Sequence, residues 1–564
     1  MSRFASASHL RLLLSGFLLV AGVESQAQSK RPNILLIVSD DQGYGDVSNL
    51  GHPVLKTPNL DRLKSQSLWL KNFVTAPVCS PTRASLMTGR HQFRTGIWDT
   101  WRSRCNMAPD EVTLPEYLRE AGYLTSHSGK WHLGTNLPFR PDDQGFDHTY
   151  VWHSFDRFDP QMLRDGNTVE TVKNGYLDNA ITDDAIRFLS RQHEKPFFAY
   201  VALFNPHDHW KKQVADEYTG RFLDAPGINA ESAEVMGMIA NVDDNVGRLL
   251  ETLKKRNLEN NTLVIFMSDN GLQGGKRKEN ALFNAGLRGT KGTVYEGGVR
   301  VPCYVRWPGV LTPRTVTERI AVIDWLPTLL DVAGLKPTRK PIEGISVWPL
   351  LTGKVDTLPD RYIFQQHQPQ MSGSSPQAFV NASVTGRRFK LLFPDATRPP
   401  ELYDLPADPA ESRNVAGEHP GVVGEMKKAY EVWFSSVVND RGFNALPVIL
   451  GSPKQPSMRE SVLQFDANQG FPAYVERAGT YRIEFGTIQH DLFPEGGEIG
   501  FTDGRTVWKG TVNPKTDAVT FEARFPEGPL QLMPWSRGKK VVMRYLNRLE
   551  DYGHRDFVIT YLHP

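Results

Sequence analysis

Asn33-Ile-Leu-Leu-Ile-Val-Ser39, followed at once by Asp40-Asp41, is the stretch from which the fold can be read. An uncharged run with no polar face suits a strand covered on both sides, as in a parallel sheet between helices. The same pattern recurs twice. Thr262-Leu-Val-Ile-Phe-Met-Ser268 breaks into Asp269-Asn270, and Phe197-Phe-Ala-Tyr-Val-Ala-Leu-Phe204 breaks into Asn205-Pro206-His207. Between such runs lie amphipathic segments, clearest over about Ser232 to Lys255, where Val235, Ile239, Val242, Val246, Leu249 and Leu250 fall at helical spacing. Apolar strands alternating with helices predict an α/β fold, a large and mostly parallel sheet sandwiched by helices. In open parallel sheets the ligand crevice lies outside the carboxyl ends of the strands. One strand ending in Asp is commonplace and reads as a solvated end; three ends carrying Asp-Asp, His and Asp-Asn predict a shared site.

At 564 residues the chain exceeds one ordinary domain. A hydrophobic share of 40% and a charged share of 23% are those of a globular chain. The net charge of +2 gives no reason to expect nucleic acid or a membrane surface as partner, although a local basic pocket for an anionic polymer is compatible with it. Arg3 and Arg11 precede an apolar run from Leu12 to Val23, and Ser25-Gln26-Ala27 offers small residues at a cleavage site. Residues 1–27 therefore read as a signal peptide, with a buried N-terminal helix as the alternative. The cut is not followed by a cysteine for a lipid anchor, and no later stretch approaches about 18 apolar residues. A periplasmic or secreted protein is expected.

The catalytic α/β domain is expected over 28–357. A smaller α+β subdomain is expected over 358–450, with strands at Arg361–Gln366 and Phe389–Phe393 and a helix near Val422–Val438. Gly451-Ser-Pro-Lys-Gln-Pro456 reads as a linker. Short alternating strands follow, Tyr481/Ile483/Phe485 against Arg482/Glu484 and Val519/Phe521/Ala523/Phe525 against Thr520/Glu522/Arg524, with Asp503-Gly504 as a hairpin turn. Residues 457–564 thus read as an accessory β-sandwich-like module whose aromatics are either core or sugar platforms.

Cys79-Ser80-Pro81-Thr82-Arg83-Ala84-Ser85-Leu86-Met87-Thr88-Gly89-Arg90 is the sharpest local motif. Ser80 is a good N-cap and Pro81 suits a first helical turn. Cys79 would then stand just before a helix N-terminus, where backbone N–H groups favour an anion. On position alone, Cys79 is either reactive or a buried structural cysteine. Cys105 and Cys303 remain, and whether they pair is open.

This segment resembles the signature of the type I, formylglycine-dependent sulfatases of the alkaline-phosphatase-like superfamily, Cys-x-Pro-x-Arg running into Leu-x-Thr-Gly-Arg. Asp40-Asp41-Gln-Gly43, Gly129-Lys130-Trp131-His132-Leu-Gly134, Asn205-Pro206-His207, Ser268-Asp269-Asn270-Gly271, Arg288-Gly289-Thr290-Lys291 and Glu296–Pro302 resemble family motifs in the family's order. Leu402-Tyr-Asp-Leu405 extends the resemblance, which spans about Pro32 to Ala416 and omits the last hundred or so residues. The resemblance implies that Cys79 is oxidised by a maturation enzyme to formylglycine, whose hydrated aldehyde supplies the nucleophilic oxygen. It implies Asp40, Asp41, Asp269 and Asn270, with the modified Cys79, as ligands of Ca²⁺ or alternatively Mg²⁺; these are hard oxygen donors. Lys130 and Lys291 would bind the sulfate, and fixed ammonium groups stabilise charge that shifts toward the leaving oxygen. His207 would protonate that oxygen, assisted by Lys291. His132 would hold the diol and help break down the covalent sulfate intermediate, while Arg83 would orient and neutralise the diol. Ser154 is the candidate for a further sulfate contact.

Gly129–Gly134 and Pro141-Asp-Asp-Gln-Gly-Phe146 look most like the arylsulfatase B-like branch. That implies a sulfated carbohydrate as partner, with 4-sulfated galactose or N-acetylgalactosamine as the substrate expectation. A phosphodiesterase or phosphonate hydrolase of the same superfamily is the second reading. A non-catalytic sulfated-glycan-binding protein is the third.

Overall fold

Asn33–Ser39 forms a wholly buried strand, β1, whose side chains divide between two cores. Ile34, Leu36 and Val38 face one helical layer, with Ala84, Leu86, Leu118, Trp325 and Leu326. Leu35 and Ile37 face the other, with Ile181, Phe188, Val242, Val246 and Leu249. Helices on both faces are why this strand carries no polar residue between Asn33 and Ser39, and each fully buried aliphatic side chain contributes roughly 1.5–3 kcal/mol.

The computed structural model describes residues 31–101, 104–153, 157–207, 214–274, 283–368, 375–461, 470–486, 493, 495–515, 517–538 and 556–564. The expected signal peptide and Ser154 lie outside the described residues.

The other strands of the main sheet are β2 (Leu68–Val74), β3 (Leu124–Gly129), β4 (His148–Trp152), β5 (Gln161–Arg164), β6 (Thr168–Thr171), β7 (Phe197–Ala202), β8 (Thr262–Ser268), β9 (Cys303–Arg306) and β10 (Arg314–Ala321). Their order is β10-β2-β9-β8-β1-β7-β3-β4-β5-β6. The centre, β8-β1-β7-β3-β4, is parallel throughout. β9 runs antiparallel to both β8 and β2, and β5 and β6 extend the other edge as antiparallel strands. The sheet is therefore mixed and parallel at its heart. The amphipathic segment forms a helix over Ala230–Lys255, with the Asn229 side chain accepting from Ser232 N at 2.9 Å as its cap.

A four-stranded antiparallel sheet follows, Ile363–Gln366, Ala382–Thr385, Phe389–Phe393 and Glu401–Asp404. Helix Pro420–Val438 packs on it through Met426, Tyr430, Trp433 and Val437.

Two further β-sheets close the chain. One holds Val448–Leu450, Phe471–Val475, Gly528–Gly538, Gly497–Thr502 and Val507–Val512; the other holds Ser457–Ser461, Asp556–His563, Gly479–Gly486 and Val519–Phe525. They share one core that includes Tyr481, Ile483, Phe485, Phe501, Leu532 and Phe557. Those aromatics are core. The Asp503-Gly504 turn joins Gly497–Thr502 to Val507–Val512 as expected.

The linker expectation is corrected. Val448–Leu450 pairs in parallel with Phe471–Val475 and so belongs with these last sheets, not with the preceding subdomain. Gly451–Pro456 is a tight turn inside the unit, with Ser452 bridging Gln455. Its proline and glycine mark a bend rather than a tether.

Candidate active site

β8, β1, β7 and β3 are adjacent and parallel, so their carboxyl ends meet on one edge of the sheet. β1 delivers Asp40 and Asp41, β8 Asp269 and Asn270, β7 the loop to His207, and β3 Lys130 and His132. Three of these ends were legible as apolar runs. β3 was not, because Leu124-Thr-Ser-His-Ser-Gly129 is mostly polar and buries its hydroxyls in hydrogen bonds. Thr125 Oγ1 donates to Gly145 O at 2.8 Å and Ser128 Oγ to Asp184 Oδ2 at 2.7 Å. Gly129 ends this strand at φ 115°, and a Cβ there would lie 1.9 Å from the Ala202 carbonyl oxygen. That close approach lets Lys130 N donate to Ala202 O at 2.9 Å, turning Lys130 into the site.

The charges are matched in pairs. Lys130 Nζ bonds Asp40 Oδ2, Lys291 Nζ lies 2.7 Å from Asp41 Oδ2, and Arg83 grips Asp269 Oδ2 at 2.7 and 3.1 Å. Burial would push Asp40 up, yet Lys130, His207 and Arg83 hold it well below its ordinary value. Burial raises Asp41, with Lys291 opposing and Asp40 adding to the rise. Asp269 is pushed to about 7 by burial and by the neighbouring Asp40 charge, against Arg83. Although burial opposes its charge, Lys291 is held above its ordinary value by Asp41 first.

The oxygens fit a hard divalent cation. Asp40 Oδ1 and Asn270 Oδ1 are buried with no hydrogen-bond partner among the described residues. Ligand atoms of Asp40, Asp41, Cys79 and His207 lie within 4.8 Å of one another. Buried oxygens left without donors are what a cation coordinated by carboxylate and amide groups satisfies. Asn270 Nδ2 donates to Asp41 Oδ1 at 2.8 Å, which turns its own oxygen away. Asp269 spends Oδ1 on Asp41 N and Oδ2 on Arg83.

Cys79 is the first residue of helix Cys79–Thr88 and is 1% exposed. The Ser80 N-cap expectation is corrected: Val78, extended at φ −147°, occupies the cap. Its carbonyl accepts from Thr82 N at 3.2 Å, closing the first turn two residues early. Ser80 Oγ is left buried without a partner among the described residues. Burial pushes the Cys79 thiol up to about 12 despite the pull of Lys130 and Lys291. At neutral pH the unmodified thiol is protonated and a poor nucleophile.

Arg83 also donates from Nη1 to Lys130 O at 2.9 Å and to the Tyr200 hydroxyl at 3.1 Å. It thus ties the Cys79 helix to the residues after β8 and β3 and to β7 itself. His132, at φ 61°, places Nε2 2.9 Å from the Thr100 carbonyl. A carbonyl only accepts, so this bond assigns the proton to Nε2 and leaves Nδ1, buried and without a partner among the described residues, as a lone-pair acceptor. Burial first, then Lys130 and Arg83, hold His132 well below its ordinary value, hence neutral. His207 Nε2 lies 3.8 Å from Asp41 Oδ2, with its ring partly exposed. Cys105 and Cys303 are both buried and not joined in a disulfide.

Sequence reading missed Arg157 and Asp178, the supports of the His207 loop. Arg157 Nη1 donates to Asn205 Oδ1 at 2.6 Å and Nη2 to the His207 carbonyl. Asp178 Oδ1 accepts from Phe204 N at 2.8 Å and Asn205 N at 3.0 Å. Neither lies in a motif; only folding brings them to the loop. Burial raises Asp178 to about 6, against Arg157. An acid with a raised folded value stabilises the fold below its unfolded value near 4, and that contribution fades as pH rises through about 6. Relative to Asp178→Asn, the wild-type protein should lose up to about 3 kcal/mol between pH 4 and 7, read from urea unfolding across that range. Parallel pH curves for the two proteins would refute the assignment.

Comparison with known proteins agrees with this geometry. The family profile Sulfatase matches residues 32–335, and that of N-sulphoglucosamine sulphohydrolase, C-terminal, matches 289–431. N-acetylgalactosamine-6-sulfatase of Canis lupus familiaris is 33% identical over 64% of this chain and 73% of its own. Arylsulfatase A of Homo sapiens is 32% identical over 73% of this chain and 89% of its own. Among solved structures, Ps i-CgsB superposes with a TM-score of 0.65 at 27% identity, over 73% of this chain and 95% of that one. Four parallel strand ends, a cysteine at a buried helix start and a profile match across more than half the chain agree: the chain belongs to the sulfatase family, the sulfuric ester hydrolases.

Proposed function

We propose that this chain removes sulfate from a carbohydrate in the periplasm or outside the cell, with Cys79 converted to formylglycine by a maturation enzyme. The observation that carries the reading is the seat of Cys79, at a buried helix start among Asp40, Asp41, Lys130, Lys291 and His207. A thiol this protonated is of little use there as such, whereas a hydrated aldehyde supplies a hydroxyl nucleophile. Asp40, Asp41, Asp269 and Asn270, with residue 79, would hold Ca²⁺ or Mg²⁺, which would polarise the sulfate and ease deprotonation of the nucleophile.

The chain's own residues do the rest. The three carboxylates are matched by Lys130, Lys291 and Arg83, so a bound divalent ion brings the site to net positive, the sign a sulfate ester requires. Lys130 and Lys291 are poised to exchange carboxylate for sulfate oxygens, stabilising charge as the S–O bond breaks. His207 protonates the departing sugar oxygen. His132 accepts a proton at Nδ1, its tautomer held by Thr100 O. Ser154 remains a proposed sulfate contact.

A galactose-type sugar, galactose or N-acetylgalactosamine, is the proposed substrate. It is supported by the kinship with N-acetylgalactosamine-6-sulfatase and with Ps i-CgsB, solved in complex with k-i-k-neocarrahexaose at 27% identity and a TM-score of 0.64.

The test is hydrolysis of defined sulfated oligosaccharides beside phosphate diesters on one preparation. Sulfate release is expected to dominate, to vanish with a chelator and to return with Ca²⁺. Preference for diesters would replace the reading with a phosphodiesterase. Binding without turnover by fully modified protein would make it a glycan-binding protein.

A further inference from the structure

The segment that follows His132 leaves the active site and enters the C-terminal β-sheets. Thr135 Oγ1 donates to Glu460 Oε2 at 2.9 Å, and Asn136 Nδ2 donates to the same oxygen and to Arg459 O, both at 3.0 Å. Leu137 N donates to Gln455 Oε1 at 2.8 Å, and Gln455 Nε2 returns a bond to Asn136 Oδ1 at 2.9 Å. Ile449 N donates to Leu137 O at 2.9 Å. Phe139 is a member of the core of those sheets, beside Tyr481 and Phe501. The inner side of the segment is equally fixed: Trp131 Nε1 donates to Phe139 O at 2.9 Å. Gly134, at φ 113°, lies so close to Phe139 that a Cβ would stand 2.3 Å from the phenylalanine Cβ. One end of this clamp is therefore bedded in the terminal sheets, and the other is the strained, left-handed His132.

We propose that the C-terminal β-sheets are a positioning element of the active site, Gln455 and Glu460 being the residues that hold Thr135–Phe139 and thereby fix His132. This rests on the role given to His132 above. The physical case is one of order. His132 adopts a backbone conformation that an unrestrained residue rarely visits, and strain of that kind persists only where the surroundings over-determine it. Among the described residues its Nδ1 has no hydrogen-bond partner to hold the ring from the inside. The polar groups of Asn136 and Leu137 are buried and met almost wholly by residues 449–460. The family profiles stop at residue 431, short of Gln455 and Glu460.

The test uses the full chain with the double substitution Gln455→Ala/Glu460→Ala. A misplacement on the order of 1 Å at a catalytic group costs about 100-fold, so kcat should fall by roughly that factor while KM moves much less. Glu460→Gln keeps an oxygen for Thr135 and Asn136 and should recover activity to within about threefold. Tyr474→Ser, on an exposed face of the same sheets, should leave kcat unchanged. Hydrogen exchange of the peptide spanning 131–139 should quicken in the double variant, a readout independent of turnover. Unaltered kcat, or unaltered exchange in that peptide, overturns the proposal. A wild-type protein that hydrolyses no sulfate ester overturns the function instead, and the exchange result then still decides whether the sheets hold the segment.

Discussion

Cys79→Ala lowers kcat/KM on a sulfate ester by about 10⁶-fold, the scale on which removal of a nucleophile acts in hydrolases that work as a unit. The expectation follows from the seat of the residue. Cys79 starts a helix whose every residue is buried, and its sulfur lies within 4.8 Å of ligand atoms of Asp40, Asp41 and His207. Alanine is smaller than cysteine by a single sulfur, so the helix Cys79–Thr88 should form and the variant should unfold near the wild-type midpoint. Loss of turnover with folding retained isolates chemistry from stability. The companion measurement is mass spectrometry of the peptide containing residue 79 in active wild-type protein, which should show an aldehyde. Unmodified thiol in fully active enzyme would defeat the mechanism, as would appreciable turnover by Cys79→Ala.

Arg83→Met should be the most costly change to the site's framework. The guanidinium is buried, forked onto Asp269 Oδ2, and bonded to Lys130 O and the Tyr200 hydroxyl. Removing one partner of a buried pair strands the other, a loss of about 3–5 kcal/mol. Net stabilities of about 5–15 kcal/mol make that a large fraction. The pH dependence carries the diagnosis. Asp269, already raised to about 7 by burial and Asp40, rises further without Arg83. Its contribution is full below an unfolded value near 4 and disappears as pH climbs through the folded value. The stability deficit of Arg83→Met, measured by denaturant unfolding, should therefore be smaller at pH 5 than at pH 8. Arg83→Lys retains charge without the fork and should recover only part of the loss. A deficit independent of pH would show that the pairing with Asp269 is not what Arg83 supplies.

How much of this was legible depended on where the information lay. The runs at Asn33–Ser39, Phe197–Ala202 and Thr262–Ser268 declared themselves because their interiors are unbroken apolar runs, the usual composition of strands buried on both faces. β3 did not, since its Thr125 and Ser128 are buried through hydrogen bonds that a periodicity reading cannot foresee. The helix at Cys79 was anticipated, but its start was set by the extended Val78 rather than by the better capping residue Ser80. Gly451–Pro456 has the composition of a linker and the geometry of a turn within a sheet pair. Turn residues mark a change of direction and say nothing of what the chain meets next.

The sequence alone determined the α/β class, the motif around Cys79 and the identity of the carboxylates, lysines and histidines, because strand burial, helix periodicity and reactive residue types are local properties. Only the tertiary structure decided which charges neutralise which, that His132 is the neutral Nε2–H tautomer, that Arg157 and Asp178 carry the His207 loop, and that Gln455 and Glu460 reach the segment behind His132. Those are relations between residues up to some three hundred positions apart, such as Asn136 and Glu460, and they exist only once β8, β1, β7 and β3 lie side by side and the last sheets close over the loop.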